Sequence, residues 1–442
     1  MSELSQRFDT LLKKIDTIEP FDVQGRVSRL NGILIEATAI GGSIGSLCEI
    51  ETATGRKIEA EIVGFKDQMI QLMALGTTLG MAPGNPVRIK SQEMTIKVGP
   101  ALLGRIIDGL GKPLDGLGEL QDGVACSLYN SPPASLDRER ISSVFPTGVR
   151  AIDGLITFGR GQRVGIFAGS GVGKSVLLGM LAKHAQAEIN VIALIGERGR
   201  EVREFIERDL GEEALKHSVV IVSTSDNPPS VRIKAAHLAT SIAEYFRTAG
   251  KDVLLMMDSL TRVAMAQREI GLAIGEPPTT KGYTPSVFTL LPGLLERAGT
   301  AKTGSITGVY TVLVEGDDMD EPISDAARSI LDGHIVLKRD LAVQGHFPAI
   351  DVLESISRVK NDVLTTEQQQ TTVRILERLA VYKQAEDLIR IGAYKGGTDP
   401  LLDQSIAARP EVLKFLRQQP DEASDFQTTQ EQLAKLVAGG QK

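Results

Sequence analysis

A glycine-rich turn between an apolar strand and an apolar helix constrains this chain more than any other feature. The stretch VGIFAGSGVGKSVLLGML spans residues 164–181. Val164 to Phe167 predict a buried strand, and the residues after Ser175 predict a helix. Glycines let the intervening backbone N–H groups turn inward as an anion-binding nest, next to the positive end of the helix dipole. The spacing of these glycines before Gly-Lys-Ser therefore predicts a phosphate-binding loop in an α/β sheet.

The chemistry of such a loop assigns roles to its polar residues. Lys174 is expected to reach the β- and γ-phosphates of a nucleoside triphosphate, and the Ser175 hydroxyl is expected to ligate Mg²⁺. Ala168 stands where the pattern usually begins with glycine. We expect its methyl group to be tolerated, because the residues that follow make the cradle. The predicted nucleotide-binding residues of the loop are Gly169, Ser170, Gly171, Val172, Gly173, Lys174, Ser175 and Val176.

Two acidic residues follow apolar strands elsewhere in the chain. Asp258 ends the run VLLMMD at 253–258. Beside a phosphate loop such a carboxylate holds the Mg²⁺ shell, although a strand-end aspartate can also cap the helix that follows it. Glu197 lies in the motif IGERGRE, where a carboxylate can orient and polarise the water that attacks the γ-phosphate. The alternative for this second motif is a solvated charged turn.

Four further residues are weaker candidates when they are judged from the residues alone. Arg198 could contact phosphate or a neighbouring subunit. Arg358 lies far from the loop along the chain, and it could neutralise transition-state charge across a subunit boundary or form a surface salt bridge. Phe347 and Tyr394 lie near glycine or proline turns. They could sandwich an adenine ring or simply pack in the fold.

The composition bears on several classes of function. A net charge of −7 and an aromatic content of 4% without tryptophan disfavour a general nucleic-acid binder. Cys48 and Cys126 have no metal-ligand spacing and fit a reducing cytoplasm, and the histidines show no ligand spacing either. The first residues do not form a signal peptide, and no apolar run reaches membrane-spanning length. Any membrane contact is therefore expected to be peripheral.

The 442 residues exceed what one core can hold, and their pattern predicts four parts. Residues 1–22 predict an amphipathic helix that could pack on its own domain, dock a partner protein or lie on a membrane surface. Residues 23–97 predict a small closed β-barrel for assembly, residues 98–364 a catalytic core, and residues 365–442 a helical domain. The predicted barrel strands are Gln24–Val27, Ile33–Ala37, Leu47–Ile50, Lys57–Gly64, Met69–Met73 and Pro86–Ile89.

Apolar strands alternate with helical patterns from Arg163 to about Val359, which is typical of a doubly wound, mostly parallel sheet. Ligands of such sheets bind at the carboxyl ends of the strands, where the polar candidates above cluster. Residues 98–160 carry glycine and proline punctuation and predict loops that wrap the sheet. The predicted core strands are Val164–Phe167, Asn190–Ile195, Val219–Ser223, Val253–Asp258, Ser305–Val314 and Ile335–Lys338.

A set of motifs in fixed order resembles a known family. It comprises AGSGVGKS (168–175), GERGREV (196–202), MMDSLTR (256–262), AQREIGLAIGEPPTTKGYTPSVF (266–288), ERAG (296–299), ILDGHIVL (330–337), ISRV (356–359) and GAYKGGTDP (392–400). The set is similar to the ATPases of type III protein export, which are relatives of the catalytic β subunit of rotary ATP synthases. The match covers nearly the whole chain from about residue 23. Ser259 and the stretch Met265–Gln267 resemble the flagellar members more than those of injectisomes.

The resemblance implies an N-terminal barrel, a RecA-like P-loop core and a helical C-terminal domain, assembled as a hexameric ring with one ATP and Mg²⁺ site per interface. Glu197 would be the catalytic glutamate, Arg198 the arginine beside it, and Arg358 the finger that acts from the adjacent subunit. Phe347 would lie against the adenine, with Tyr394 a less secure second aromatic residue. Lys174 and Ser175 would serve the phosphates and the metal, with Asp258 as the second-motif aspartate.

The resemblance also implies partners and a location. A stator-like regulatory export protein would bind residues 1–20, and a central stalk-like export protein would occupy the ring channel that residues 276–288 face. The export gate and complexes of substrate with chaperone would dock as well, without nucleic acid. The chain would work in the cytoplasm, peripheral to the inner membrane at the flagellar base, where ATP hydrolysis would energise or gate protein export.

Four other functions stay open at this point. An injectisome ATPase and a catalytic subunit of a rotary ATP synthase share most of these motifs. A ring helicase acting on RNA has a similar core, but the acidic balance and the aromatic-poor barrel disfavour it. A non-catalytic nucleotide-binding subunit is disfavoured by Glu197, because such subunits lack the carboxylate that positions water.

Overall fold

The computed structural model describes residues 24–38, 41–120, 122–314, 316 and 318–439. The helix predicted for residues 1–22 lies outside these ranges. The chain folds into two compact units. One is built from the described residues up to Met94 together with Ala273–Gly275, and the other holds the rest of the chain from Thr95 onward.

The first unit contains the predicted six-stranded barrel. Its strands close in the order β1-β2-β5-β4-β3-β6, and every neighbouring pair is antiparallel. Alternate side chains point inward and pack as one apolar cluster that includes the fully buried Ile35, Ile50, Ile62 and Ile70. Closure leaves no unpaired strand edge. The strands are β1 (Gly25–Asn31), β2 (Leu34–Thr38), β3 (Leu47–Glu51), β4 (Lys57–Lys66), β5 (Met69–Ala74) and β6 (Pro86–Ser91).

The second unit is built on a nine-stranded sheet. The strand order is β17-β16-β10-β15-β13-β11-β12-β8, with β14 paired to β15. Every pairing along this order is parallel except that of β17 with β16. This confirms the prediction of a mostly parallel sheet. Its strands are β8 (Ile106–Asp108), β10 (Arg163–Ala168), β11 (Ile189–Ile195), β12 (Ser218–Ser223), β13 (Asp252–Asp258), β14 (Gly299–Thr300), β15 (Ser305–Leu313), β16 (Gly333–Leu337) and β17 (Ile356–Ser357). A separate two-stranded sheet pairs β7 (Thr95–Val98) with β9 (Val124–Ser127).

Helices connect the strands of this sheet. They are α1 (Arg150–Leu155), α2 (Lys174–His184), α3 (Gly199–Glu204), α4 (Gly211–Lys216), α5 (Pro229–Thr248), α6 (Leu260–Ile274), α7 (Pro285–Leu295), α8 (Pro322–Ile330), α9 (Arg339–Val343) and α10 (Lys360–Val363). A π-helical turn at Phe205–Leu210 joins α3 to α4, and short 3-10 turns lie at Pro100–Leu102, Ser135–Asp137 and Thr280–Gly282. Throughout the described ranges, every helix is too short or too polar to span a bilayer.

Three helices form the C-terminal part of the second unit, as the sequence predicts. They are α11 (Thr366–Arg390), α12 (Pro400–Leu416) and α13 (Phe426–Gly439). Helix α11 begins with a capping box in which Thr365 and Gln368 exchange side-chain and backbone hydrogen bonds. Helix α12 begins at Asp399, whose carboxylate accepts from two backbone N–H groups. The break between these helices falls at the predicted glycine-rich turn.

Candidate active site

The phosphate-binding loop has the backbone shape that an anion cradle needs. Strand β10 ends at Ala168, and α2 begins at Lys174. Between them, Gly171 has φ +77° and Gly173 has φ +91°, in the left-handed region that favours glycine. The Cβ position of Gly171 is open. At Gly173 two carbons of the Phe347 ring lie 3.6 and 3.7 Å from where a Cβ would stand, so this aromatic side chain is a neighbour of the loop.

Three strand ends bring the charged groups together beside this loop. The Lys174 ammonium donates to Asp258 Oδ1 at 2.6 Å and to Glu197 Oε1 at 3.4 Å. Strands β10 and β13 flank β15, and β11 follows β13, so the carboxyl ends of these strands meet at one edge of the sheet. Thr311 on β15 donates its hydroxyl to Asp258 at 2.7 Å and fixes that carboxylate.

Burial and neighbouring charges perturb both partners of this contact. Burial raises the pKa of Glu197 to about 7, the nearby Asp258 charge adds to the rise, and Lys174 opposes it. A hydrogen bond from Glu197 to Glu201 also favours the protonated form of Glu197 and lowers the pKa of Glu201. Burial alone would lower the pKa of Lys174, but attraction to the two carboxylates raises it overall. Lys174 is therefore a cation at neutral pH, and Glu197 gains or loses its proton near neutral pH.

The donor set fits a hard divalent cation that arrives with the nucleotide. Hydroxyl and carboxylate oxygens are the ligands that Mg²⁺ prefers, and Mg²⁺ commonly binds one or two protein oxygens plus substrate phosphates. Ser175 lies in the first turn of α2, and its hydroxyl makes no hydrogen bond within the described part of the chain. Among the described residues no group of three or more His, Cys, Asp or Glu could hold a metal by itself. Ser175 and Asp258 are the candidate protein ligands.

The two arginine candidates lie outside this cluster. Arg198 is exposed and pairs with Glu201 at 3.6 Å. The Arg358 backbone N–H donates to Asp332 at the start of β16, and its guanidinium donates to the Arg328 carbonyl at 3.0 Å. The phosphate loop lies beyond the other end of β16, roughly 16 Å along the strand. The structure therefore does not bring Arg358 to Lys174 of the same chain.

The aromatic candidates are also separated. Phe347 lies beside Gly173 with 47% of its surface exposed, so one face of its ring is open to a ligand. Its carbonyl accepts from the backbone N–H of Gln418, just past the end of α12. The Tyr394 hydroxyl donates to Asp403 at 2.9 Å, near the opposite end of the same helix. A helix of 17 residues is about 25 Å long. The structure does not place Tyr394 across from Phe347.

Several neighbours of the site were not predicted. Thr311, Glu201 and Arg339 contact Asp258, Glu197 and the loop respectively, the last through a hydrogen bond of 3.2 Å to the Ser170 carbonyl. The Arg262 side chain packs on Gly196, where an added Cβ would meet it at 2.7 Å, and its Nε is buried without a partner among the described residues. Glu201 and Arg262 could have been found, since each lies four residues beyond a predicted carboxylate at the start of a helix.

Three family models match the chain. The nucleotide-binding domain of the ATP synthase alpha/beta family matches residues 148–357, and the beta-barrel domain of the same family matches residues 27–90. The C-terminal domain of the EscN ATPase of type III secretion systems matches residues 364–435. Barrel, nucleotide-binding domain and helical region thus each have a counterpart, and the predicted fold class is confirmed.

Curated relatives match over nearly the whole length. The flagellum-specific ATP synthase of Bacillus subtilis is 51% identical over 93% of this chain and 95% of its own. That of Pseudomonas aeruginosa is 50% identical over 95% of this chain and 94% of its own. The type 3 secretion system ATPase of Sinorhizobium fredii is 48% identical over 96% of this chain and 94% of its own. These relatives confirm the resemblance carried by the motifs.

Solved structures of type III secretion ATPases are similar to this chain over nearly its whole length. The assembled ATPase EscN from the type III secretion system of enteropathogenic E. coli has a TM-score of 0.90 and 48% identity, covering 93% of this chain and all of that one. EscN in complex with its central stalk EscO has a TM-score of 0.87 and 47% identity, with the same coverage. At this identity the likeness extends from the fold to the family.

Proposed function

Because this chain belongs to the ATP synthase alpha/beta family, and within it to the flagellar and type III secretion ATPases, we propose that its ATPase activity energises or gates the export of flagellar proteins. The observation that carries the proposal is the Lys174 ammonium held between Asp258 and Glu197, beside a glycine cradle. Binding alone needs only the cradle and the lysine. The buried carboxylate of Glu197 adds a group that can act on water.

Each residue of the site has one task in this proposal. The backbone N–H groups of residues 169–175 and the Lys174 ammonium bind and orient the triphosphate. Glu197 in its ionised form accepts a hydrogen bond from the attacking water and aligns it with the γ-phosphate. Ser175 and Asp258 hold Mg²⁺, directly or through water. When bound, Mg²⁺ neutralises charge that develops on the phosphate oxygens. The exposed face of Phe347 stacks on the adenine ring, and Tyr394 stays a prediction for a second aromatic contact.

The proposed ring explains how Arg358 reaches a phosphate. Its position beyond the opposite end of β16 keeps it away from the phosphate loop of its own chain, which supports the proposal that it acts on a neighbouring copy. Arg198 is exposed on the surface and is proposed to contact phosphate or the neighbouring subunit. A hexamer with one site per interface would give both arginines a phosphate or a neighbouring subunit to contact. The solved EscN structure is likewise of an assembled ATPase.

The proposed partners follow the relatives. EscN binds a central stalk, EscO, and we propose that a stalk-like export protein contacts residues 276–288 of this chain in the ring channel. We also propose a stator-like regulatory protein at residues 1–20, docking of the export gate and of complexes of substrate with chaperone, and a cytoplasmic location at the flagellar base next to the inner membrane. The division of the chain at residues 22, 97 and 364 is part of the same proposal.

A turnover assay tests the catalytic assignment. Purified chain is mixed with ATP and Mg²⁺, and phosphate release is measured for Glu197→Gln and for Glu204→Gln. Glu197→Gln is expected to lower kcat by about 100-fold or more while a fluorescent ATP analogue still binds. Glu204 lies in the same segment but pairs with Arg200 on the surface, so Glu204→Gln should turn over normally. Full turnover by Glu197→Gln, or an equal loss in the control, would refute the assignment.

A second function, an ATPase of an injectisome, is favoured by one observation. The Sinorhizobium fredii relative is nearly as similar as the flagellar ones. Genetic complementation distinguishes the two. The chain is expected to restore swimming to a strain that lacks its flagellar export ATPase, and not to restore secretion to a strain that lacks its injectisome ATPase. The reverse result would assign it to the injectisome.

A further inference from the structure

We infer that Gln418 is a positioning residue for nucleotide binding, because it holds the segment against which Phe347 is placed. The inference rests on the proposed function, in which the Phe347 ring stacks on the base. Gln418 lies between α12 and α13, is 3% exposed, and is about 70 residues from Phe347 along the chain. Its backbone N–H donates to the Phe347 carbonyl at 2.9 Å. That bond is a direct link from the C-terminal helices to the proposed base contact.

The side chain of Gln418 fixes this backbone in place. Its Oε1 accepts from the Arg150 backbone N–H at 2.8 Å, and its Nε2 donates to the Gly148 carbonyl at 2.7 Å. The same Nε2 donates to the Glu422 carbonyl within its own segment. The amide thus uses its acceptor and both of its donors. A shorter side chain would leave the Arg150 backbone N–H without this acceptor and the Gly148 carbonyl with the longer bond from the Ser424 N–H, at 3.4 Å.

The surrounding contacts explain why the segment has one position. The Arg150 guanidinium donates to the Phe415 and Arg417 carbonyls and pairs with Glu422. His184, at the last residue of α2, lies within hydrogen-bonding distance of the Pro420 carbonyl, at 2.9 Å. The helix that starts at the phosphate loop therefore ends on the segment that holds the carbonyl of Phe347. The base contact and the phosphate contacts are thus supported by the same connected set of residues.

The Phe347 ring is sensitive to a small displacement. Its ring carbons lie against Gly173, within van der Waals distance of where a Cβ would stand. One ATP molecule must stack its base on the Phe347 ring and place its phosphates in the cradle at the same time. The distance between the ring and the loop therefore determines how well both contacts are made. Loss of the side-chain hydrogen bonds of Gln418 allows the distance between the Phe347 ring and the loop to change. Base binding should weaken, whereas the groups that act on water are untouched.

Steady-state kinetics and binding test the inference on the full-length chain. Gln418→Ala is expected to raise the KM for ATP by about two- to ten-fold, the range that corresponds to one aromatic contact, with kcat changed less than about two-fold. Phe347→Ala should do the same, and the double variant should be no worse than Phe347→Ala alone. Inorganic tripolyphosphate, which lacks a base, should compete for the site equally well in all variants.

Two further variants control for simple loss of stability. Gln430 on α13 is also buried and donates from its amide to the Asp153 carbonyl at 2.8 Å, which ties the same helices to the core without contact to Phe347. Gln430→Ala should lower the melting temperature as Gln418→Ala does but leave the KM unchanged. If Gln418→Ala does not fold, Gln418→Met keeps the side-chain volume, adds no charge and removes the hydrogen bonds to Arg150, Gly148 and Glu422, and it should raise the KM in the same range.

The outcomes separate the inference from the proposed function. If Phe347→Ala raises the KM and Gln418→Ala behaves like Gln430→Ala, only the role of Gln418 is overturned. If Phe347→Ala leaves the KM unchanged, the base contact itself fails and the role of Gln418 falls with it. A loss of tripolyphosphate binding in Gln418→Ala would also overturn the inference, because the effect would then act on the phosphate loop.

Discussion

At the scale of single residues, two carboxyl groups separated by one helical turn share a hydrogen bond that adds to the pKa shift of Glu197. Glu197 precedes α3 and Glu201 lies in its first turn, and they share a hydrogen bond. Both cannot be ionised cheaply at this distance, so the buried Glu197 retains the proton and the more exposed Glu201 ionises. Burial is the largest cause of the rise in the pKa of Glu197 to about 7, the Asp258 charge adds to it, and the hydrogen bond with Glu201 raises it further, so the charge of Glu197 depends on pH near neutrality.

The pH profile of kcat/KM is therefore expected to rise with pH to about 7 and then level off, because in the proposed mechanism the ionised Glu197 is the form that acts as a base toward the attacking water. Glu201→Gln removes the neighbouring charge and offers an amide donor, which stabilises the carboxylate. The pKa of Glu197 should fall, and the acidic limb should move to lower pH. Glu207 is paired with Arg203 on the surface, and Glu207→Gln should leave the limb in place. An unmoved limb in Glu201→Gln would show that another group controls it.

At the scale of secondary-structure elements, the helix that carries Lys174 and the helical segment that follows Glu197 pack against each other away from the charged cluster. Helix α2 begins at Lys174, and the π-helical turn that extends α3 packs on it at Gly179. A Cβ on Gly179 would stand 2.6 Å from the Asp209 carbonyl oxygen and 2.9 Å from its Cβ. Glycine is needed here for the close approach of two helices. Helix α2 carries Lys174 and α3 follows Glu197, so this contact lies between the elements that carry the two residues.

Gly179→Ala should therefore push the π-helical turn away from α2, lower the melting temperature and reduce kcat. Gly293 on α7 provides the matched control, because no atom lies within 4 Å of its Cβ position. There the alanine should be neutral or should stabilise the chain by about 0.5–1 kcal/mol, since glycine is costly inside a helix. Differential scanning calorimetry and a turnover assay check both variants. A Gly179→Ala chain with normal stability and kcat would refute the packing argument.

The arginine of the motif ERAG, Arg297, has a structural role that also concerns the packing of elements. Arg297 is 1% exposed and makes two hydrogen bonds to the Glu244 carboxylate on α5, at 2.9 and 2.7 Å. It also donates to the Leu128 carbonyl after β9 at 2.8 Å. This one guanidinium joins three segments that are distant in sequence.

Arg297→Met should destabilise the chain by about 3–5 kcal/mol, because the Glu244 carboxylate is left buried without its counter-ion. Changing both partners, with Arg297→Met and Glu244→Leu, should recover much of that loss. Urea unfolding followed by circular dichroism measures both. If the double variant is no more stable than Arg297→Met alone, the unpaired charge is not the cause.

The elements that could be predicted are those whose stability is local. All six barrel strands show alternation or short apolar runs between turn residues, and the predicted core strands are mostly apolar runs of four to ten residues next to helical patterns. Strands β8 and β17 were not predicted, because three and two residues carry no periodicity and pair only through a neighbouring strand. The π-helical turn is likewise specified by packing on α2 and not by its own residues.

The site divides in the same way. Lys174, Glu197 and Asp258 lie at strand ends, and topology brings such ends together, so their contact could be predicted. The sequence predicts Tyr394 as a second aromatic contact of the adenine, but the structure places it near the end of α12 that is remote from Phe347. Gln418, at the other end of α12, donates to the Phe347 carbonyl. This contact could not be predicted, because it depends on how α12 packs and no motif surrounds Gln418.

At the scale of the whole molecule, the sheet separates the phosphate loop from the proposed arginine finger. The phosphate loop follows the carboxyl end of β10, whereas Arg358 lies by the amino end of β16, which is parallel to β10. No side chain spans that distance. In the proposed ring of identical subunits, the amino end of one sheet would lie near the carboxyl end of the next, and turnover would require assembly. Specific activity should accordingly rise with protein concentration.

Mixing two inactive variants tests this arrangement directly. Lys174→Ala lacks the phosphate contact and Arg358→Ala lacks the arginine, so neither should turn over alone. In mixed rings at equal amounts, about a quarter of the interfaces join an intact loop to an intact arginine, and activity should return to a comparable fraction of the native level. Lys174→Ala mixed with Glu197→Gln is the control, since both changes fall on the same side of the interface and no intact site can form. Recovery in the control, or none in the test mixture, would show that Arg358 does not complete the site of a neighbouring copy.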